Sequence, residues 1–536
     1  MRCVAAGGPI HLPEPTCAAG WPIGPRIDRT PDRSGALRQV LRLLEENRWK
    51  PGRALSSEKP KEFSTLTRPD LCDALARLHP NAPRGAQDAL AACLHAAADP
   101  EVAPAFLQID RAGAQAAAQA IDQACAAGQP RPPLGGLAVV VKDLFDVAGQ
   151  TTAGGSRRLA GAAPAGADAP AVARLRAAGA VLIGRAHMNE FAYSGVGLNP
   201  HHPVLANPAT ARLEPGGPRR VPGGSSSGSA AAVAGGAAWA GLGSDTGGSL
   251  RIPAALQGLV GFKPTQSAVP REGMLPLAPT LDTVGAITRS VRDAALLDAV
   301  LRGAPLPRQD RPLAALRLGL PETLMLEALD PRLARGFEAV LARLRAAGAR
   351  IEPLPLPELG ELAAMNALGG FPAAEAWAWH RQALDTQPET YDPRVAARIR
   401  RGASQSAADY LALQRVRADW IRRVDAAITG FDALLSPTVP DFPPPLDPLL
   451  PAPPGASAAE AAARDAAFFA LNARLLRNPT VVNLLDGCAI SLPAQAPGEL
   501  PWGLMLWAGR GRDATLLDAA RAVEAALDAE AQEAHA

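Results

Sequence analysis

A helix that stops at a glycine and leads straight into a short apolar strand is the feature that most limits this chain's fold. In residues 169–185 (APAVARLRAAGAVLIGR), the helical spacing of apolar residues ends at Gly179, and a strand follows at Ala180–Gly184. The same unit returns at Asp330–Leu354, and the apolar run within Leu134–Val147 adds a buried strand. Helices that alternate with buried strands predict an α/β fold in which helices cover a sheet.

Composition and charge exclude several classes of function. Hydrophobic residues make up 48% of the 536-residue chain and charged residues 20%, as in globular proteins with a sizeable core. The formal net charge is +2 and the basic residues are spread along the chain, which gives no basis for binding nucleic acid or a membrane surface. The nearest candidate for a membrane span, Ala230–Leu242, is shorter than the roughly 18–20 apolar residues that a bilayer requires. We therefore expect neither a nucleic-acid partner nor a membrane.

The cysteines predict a reducing compartment. They are sparse for the length and contain no C-x-x-C pair, which argues against a disulfide framework or a zinc site. The first residues lack the uninterrupted apolar stretch of about 7–15 residues found in secretory signals. Both observations favour a cytoplasmic location. The six cysteines are Cys3, Cys17, Cys72, Cys93, Cys125 and Cys488.

Composition also divides the chain. Residues 1–62 are rich in Pro, Arg and Gly, and they predict an N-terminal extension that is poorly ordered. Residues 63–536 are assigned to a single domain, in which residues 355–430 form a mainly helical insertion.

The candidate catalytic residues are concentrated in the Gly/Ser-rich segment Pro222–Ala254. The pair Gly223–Gly224 permits unusual backbone angles ahead of three serines, and a second pair, Gly247–Gly248, stands directly before Ser249. Glycines there let backbone N–H groups point into one space, as an oxyanion hole requires. A flexible linker is the alternative, but the intervening Ala/Val-rich helix disfavours it. The chain has no Gly-Lys pair for a phosphate-binding loop, and the segment lacks the third glycine of a dinucleotide fingerprint.

Two different bases could activate a serine in this segment. Residues 224–228 read GSSSG, which matches the nucleophile elbow of α/β-hydrolases, but that chemistry needs a downstream histidine and only His380 and His535 are available. Lys142 follows the apolar run LAVVV at the end of a predicted buried strand. Burial disfavours the ammonium form, and a neutral lysine is a competent general base. The alternative for Lys142 is a strand-end side chain that reaches water.

These segments resemble the amidase-signature family over roughly residues 65–530. The resemblance rests on GGSSSGSAAAVAGG followed by GLGSDTGGSLRIPA, on GGLAVVVKDLFDVAG, and on HMNEFAYSGVGLNP. It implies an α/β fold with a mixed, twisted β-sheet covered on both faces by α-helices. It also implies an amidohydrolase that cleaves a linear amide C–N bond through an acyl-enzyme and needs no metal or organic cofactor.

The resemblance assigns roles to individual residues. Ser249 is the nucleophile, Ser225 is a bridging serine held by a cis peptide bond, and Lys142 is the base of a Ser–cisSer–Lys triad. Ser226 is expected to support Ser225 and Lys142 by hydrogen bonding. The oxyanion is expected to be bound by the backbone N–H groups of Thr246, Gly247, Gly248 and Ser249.

The resemblance leaves the substrate open. The tRNA-dependent amidotransferase subunits of the family typically carry Gln where this chain has Ile252 and Thr283, which disfavours that alternative. A second alternative is an allophanate-hydrolase-like enzyme, because TVVNLLDGCAISLP is reminiscent of that group. We expect a small-molecule amide as substrate and consider a homodimer. Candidate pocket residues are Met188, Phe191, Tyr193 and Asp486, whereas Asp245 and Arg251 are expected to form a structural ion pair.

Overall fold

A single mixed sheet organises the protein. The computed structural model describes residues 70–78 and 84–533, so the predicted extension over residues 1–62 lies outside the described residues. The strands follow the order β1-β3-β2-β4-β6-β5-β10-β11-β9-β7-β8 across the sheet. They are β1 (Phe106–Ile109), β2 (Ala138–Lys142), β3 (Val181–Ala186), β4 (Ala240–Asp245), β5 (Val260–Lys263), β6 (Thr283–Thr288), β7 (Arg317–Pro321), β8 (Arg350–Leu354), β9 (Ala433–Pro437), β10 (Cys488–Pro493) and β11 (Gly503–Ala508).

Helices pack on both faces of this sheet. They are α1 (Leu71–Arg77), α2 (Gly85–Ala96), α3 (Arg111–Ala126), α4 (Pro170–Ala177), α5 (Pro208–Leu213), α6 (Ser227–Gly235), α7 (Arg251–Leu256), α8 (Val291–Arg302), α9 (Pro331–Ala346), α10 (Leu362–Met365), α11 (Gly370–Thr386), α12 (Pro393–Arg400), α13 (Ala407–Ile428), α14 (Ala458–Leu484) and α15 (Asp513–Glu533). The predicted α/β class is therefore confirmed. Between β8 and β9 the chain forms α10–α13, within the segment that was assigned to a helical insertion.

The two helix–glycine–strand units form as predicted. Gly179 follows α4 with φ +84° and Gly348 follows α9 with φ +96°, in the left-handed region that favours glycine. Each unit delivers its strand next to a parallel neighbour: β3 pairs with β2, and β8 pairs with β7. Strand β2 also runs parallel to β4, whereas β4 and β6 are antiparallel, which makes the sheet mixed. The carboxyl ends of β2 and β4 consequently lie side by side.

Small residues in the Gly/Ser-rich segment serve close packing. Helix α6 is almost entirely buried and packs on β4 and β2. A Cβ atom added at Gly241 of β4 would lie 2.8 Å from the Cβ of Ser229, and one added at Gly228 would lie 2.3 Å from the Ala105 carbonyl oxygen. The helix can approach its neighbours this closely only because Gly228 and Gly241 have no side chains. The segment therefore forms a buried helix, and the flexible-linker alternative is wrong.

Within residues 70–78 and 84–533, no helix combines the length and apolarity needed to cross a membrane.

Candidate active site

Lys142 lies at the carboxyl end of β2 and is completely buried. Its Nζ is 2.7 Å from the Ser225 hydroxyl oxygen and 2.8 Å from the Ser244 hydroxyl oxygen. Ser244 belongs to β4, the neighbouring parallel strand, so adjacent strand ends bring these groups together. The alternative of a lysine that reaches water is therefore wrong. Sequence reasoning missed Ser244, although it stands in the same GSDTGGS stretch as Ser249.

The surroundings of Lys142 favour its neutral form. Burial lowers the pKa of Lys142 from 10.5 to about 7, and the negative charges of Asp245 and Asp282 only partly oppose this effect. Neither carboxylate is within ion-pair distance of Nζ among the described residues. A large share of Lys142 is consequently uncharged at neutral pH and able to accept a proton.

The serine loop, residues 223–227, has an unusual backbone. The Gly224–Ser225 peptide bond is cis, as the resemblance implied. The Asn189 N–H donates to the Ser225 carbonyl at 3.3 Å, while the Asn189 side chain binds the N–H of Gly197 and the carbonyl of Leu198. Asn189 therefore joins the serine loop to the segment that packs beside it. The sequence signal for Asn189 was its place in the HMNEF motif.

Ser226 links the serine loop to the glycine loop, residues 246–250. Its N–H donates to the Ser249 carbonyl at 3.2 Å, and its hydroxyl donates to the Ser244 carbonyl at 3.3 Å. The predicted support of Lys142 by Ser226 is thus indirect, because the hydroxyl is directed to the β4 backbone. Ser249 itself is 4% exposed and is held on the glycine loop by this backbone bond.

The predicted set of oxyanion donors needs one correction. The Gly248 N–H donates to Asp245 Oδ1 at 2.8 Å, because the buried carboxylate turns back under the loop, so this donor is already occupied. The Leu250 N–H is likewise taken by Asp245 Oδ2 at 3.1 Å. In the described part of the chain, the N–H groups of Thr246, Gly247 and Ser249 have no hydrogen-bond acceptor.

A buried charge network holds the glycine loop from below. Arg251 binds both carboxylate oxygens of Asp245 at 2.9 and 3.0 Å, with both side chains fully buried, which confirms the predicted ion pair. Asn483 of α14 donates to Asp245 Oδ1 at 2.8 Å and accepts from Arg251 at 2.7 Å. Burial alone would raise the pKa of Asp245, but Arg251 brings it well below its ordinary value. On the other side of the loop, Thr246 Oγ1 donates to Asp282 at 2.5 Å.

Three predicted pocket residues share one segment that borders the serine loop. Met188 is fully buried in the core, and the Phe191 ring packs against the His380 ring with 4.4 Å between centroids. The Arg398 guanidinium lies 4.2 Å from the centroid of the Tyr193 ring and donates to the Tyr193 carbonyl. None of the three hydrogen-bonds to the glycine loop, so their contact with substrate stays a prediction.

Asp486 lies elsewhere, just after the carboxyl end of α14. It accepts the Gln266 N–H at 3.3 Å and lies 3.4 Å from Arg510, and its φ is +56°. These contacts tie two loops together. These contacts give Asp486 a local structural role, and its contact with substrate stays a prediction.

The nucleophile-elbow interpretation lacks its histidine. His380 is buried and shares a hydrogen bond of 3.0 Å with the Tyr391 hydroxyl through Nδ1. The hydroxyl of Ser226, which would be the elbow nucleophile, bonds to a backbone carbonyl instead. His535 lies outside the described residues.

Comparison with known proteins places this geometry in a family. The family model for amidases matches residues 88–517. The chain is 36% identical over 442 residues to a 2-amino-5-chloromuconic acid deaminase of Comamonas testosteroni, an alignment that covers 81% of this chain and 90% of that protein. It is 35% identical over 372 residues to one of the subunits of the glutamyl-tRNA(Gln) amidotransferase of Acidobacterium capsulatum, covering 63% and 76% of the two chains. A solved amidase structure, 33% identical, superimposes with a TM-score of 0.71 over 85% of this chain and 99% of its own. The chain therefore belongs to the amidase family, the hydrolases that carry the amidase signature.

Proposed function

We propose that the protein hydrolyses a linear amide C–N bond by acyl transfer, with Ser249 as nucleophile, Ser225 as proton relay and Lys142 as base. The observation that supports this most is a buried lysine within 2.7 Å of the Ser225 hydroxyl, with burial lowering its pKa to about 7. The bond between the Ser226 N–H and the Ser249 carbonyl holds the serine loop against the glycine loop. A buried lysine that is partly neutral near pH 7 and hydrogen-bonded to the Ser225 hydroxyl provides a general base for serine activation without histidine.

In the proposed reaction, the Ser249 hydroxyl gives its proton to Ser225 as the Ser225 proton passes to Lys142. The Ser249 oxygen bonds to the amide carbon, and the carbonyl electrons move onto oxygen. Backbone N–H groups of Thr246, Gly247 and Ser249 are the proposed donors to that oxyanion. When the tetrahedral intermediate collapses, the C–N bond breaks and the lysine proton returns through Ser225 to the departing nitrogen. Water, activated by the same relay, then releases the acid from Ser249.

We also propose that the acyl group carries a carboxylate, which Arg398 recognises. Arg398 is half-buried, and no carboxylate of the described residues lies within ion-pair distance of it. The Arg398 guanidinium stacks on the Tyr193 ring. Two residues further along the chain, Gly195 packs against Ile252 and Leu476 beside the glycine loop. A desolvated guanidinium without an acidic partner favours an anionic ligand. A relative that is a deaminase of a muconic acid derivative is consistent with an acidic substrate.

Two alternatives remain proposals. One relative belongs to a multi-subunit amidotransferase, so this chain could act with a second protein. An allophanate-hydrolase-like reaction would also use a small carboxylated amide. We favour a stand-alone enzyme, with a homodimer as its assembly, and a cytoplasmic location, which the free thiols of Cys72, Cys125 and Cys488 support.

The test is labelling of the purified chain with a serine-directed fluorophosphonate, followed by peptide mass mapping. Label on Ser249 is expected in the wild type, absent in Ser249→Ala, and much slower to form in Lys142→Ala. Label on Ser226 instead would contradict the proposed nucleophile. Release of ammonia or amine from carboxylated amides by the isolated chain would count against an obligate partner protein.

A further inference from the structure

Helix α14 touches the glycine loop through Thr480. The Thr480 Oγ1 atom donates to the Gly247 carbonyl oxygen at 3.3 Å, across a sequence separation of 233 residues. A threonine within a helix ordinarily bonds a carbonyl three or four residues earlier in the same helix. Here the hydroxyl turns away from its own helix and toward the loop that precedes Ser249. The neighbouring Pro479 packs so closely that an added Cβ on Gly248 would lie 2.7 Å from its Cβ.

With the bond from Thr480, both polar groups of the Gly247–Gly248 peptide unit are hydrogen-bonded to side chains. The Gly247 carbonyl is bound by Thr480, and the N–H of the same peptide unit, from Gly248, is bound by Asp245 at 2.8 Å. A peptide unit is planar, so binding both of its ends fixes the orientation of the whole plane. This matters between two glycines, because glycine lets the plane rotate where other residues would not; Gly248 has φ +130°.

The fixed plane lies between two donors that have no acceptor in the described part of the chain, the N–H groups of Gly247 and Ser249. This plane joins the two peptide units that carry the donors. A change in its orientation alters the backbone angles ψ of Gly247 and φ of Gly248, which set how the two N–H groups are aimed relative to each other. We propose that Thr480 is a positioning residue that locks the Gly247–Gly248 peptide and thereby aligns the oxyanion donors. This inference rests on the proposed function, because it assigns the two N–H groups to the reaction.

Other bonds already anchor the helix that carries Thr480. Asn472 accepts the Gly195 N–H at 2.9 Å, Asn478 donates to the Pro437 carbonyl at 2.9 Å, and Asn483 binds Asp245 at 2.8 Å. Loss of the single, half-buried Thr480 hydroxyl therefore leaves α14 in place. The effect of removing it should appear in the transition state of acyl or phosphonyl transfer and not in folding.

The test uses Thr480→Val, which keeps the shape and removes the hydroxyl, and Thr480→Ser, which keeps the hydroxyl. The saturation kinetics of Ser249 labelling by a short-chain fluorophosphonate give a maximal rate and a half-saturation concentration. For Thr480→Val we expect the maximal rate to fall roughly tenfold, less than the 10²–10³ lost when a whole donor is deleted. The half-saturation concentration should stay within about twofold, since binding before chemistry does not use the oxyanion donors.

Two variants provide the controls. Thr480→Ser should restore most of the maximal rate. Thr386→Val makes the same chemical change on α11, where the hydroxyl bonds its own helix at 3.0 Å, and should label like the wild type. Wild-type labelling kinetics in Thr480→Val, or equally slow labelling in Thr480→Ser, would overturn the positioning role while leaving the proposed nucleophile intact. Absence of Ser249 labelling in the wild type would instead overturn the proposed function, and this inference with it.

Discussion

Replacing Lys142 with methionine should abolish activity and make the free energy of unfolding less dependent on pH. The folded state holds Lys142 with a pKa of about 7, whereas the unfolded chain returns it to 10.5. Between these two values the unfolded state binds more protons than the folded state, so wild-type stability rises with pH in that window and is flat below it. Methionine fills a similar volume and has no titratable group, so its contribution to the free energy of unfolding does not vary with pH.

The size of the effect follows from the two pKa values. The gap between 10.5 and about 7 corresponds to about 5 kcal/mol of unfolding free energy, at about 1.4 kcal/mol for each unit of pKa. Over the practical range from pH 9 down to pH 7, linkage predicts that the wild type loses about 2 kcal/mol relative to Lys142→Met. Loss of the hydrogen bonds to Ser225 and Ser244 lowers the free energy of unfolding of Lys142→Met by about 1–3 kcal/mol each. This loss is the same at every pH, so it does not alter the pH dependence.

Urea unfolding of both proteins at pH 7, 8 and 9 measures this difference. Lys263, the other fully buried lysine in the described residues, has a pKa lowered to about 8, mainly by burial. Its contribution is present in both proteins and cancels in the difference. Ser225→Ala is the matched control, because it removes one hydrogen bond of Lys142 and keeps the titrating group. If the wild-type and Lys142→Met free energies run parallel from pH 9 to pH 7, Lys142 has an ordinary pKa and the argument for a neutral base fails.

Three further predictions concern the same site. Because the base must be neutral, the rate of Ser249 labelling should rise with pH to a plateau with a midpoint near pH 7; a rate independent of pH between 5 and 9 would contradict this. Asp245→Asn should destabilise the fold by about 3–5 kcal/mol in urea unfolding, since it leaves Arg251 buried and unpaired, whereas Asp419→Asn in an exposed ion pair should change little. Arg398→Met should raise the KM for a carboxylated amide at least tenfold and leave that for its uncharged analogue unchanged; equal effects on both would refute anion recognition.

The sequence by itself determined secondary-structure elements around the site and the family, and it supplied the residues proposed to act there. Local signals sufficed for the strand that ends at Lys142 and for the helix that stops at Gly179, because glycine conformation and apolar periodicity act over neighbouring residues. The long motif around Ser225 and Ser249 was specific enough to indicate the family and the mixed sheet.

Only the tertiary structure decided how those residues are held and charged. Ser244 contacts Lys142 because β2 and β4 are neighbours, and Thr480 reaches Gly247 because α14 crosses the glycine loop. The hydrogen bond from the Gly248 N–H to Asp245 could likewise not be predicted from the Gly247–Gly248 pair in the sequence. Whether a backbone N–H is bound depends on which acceptor the fold places opposite it. The lowered pKa of Lys142 has the same origin: it depends on the exclusion of water by segments far apart in the chain, which no local pattern encodes.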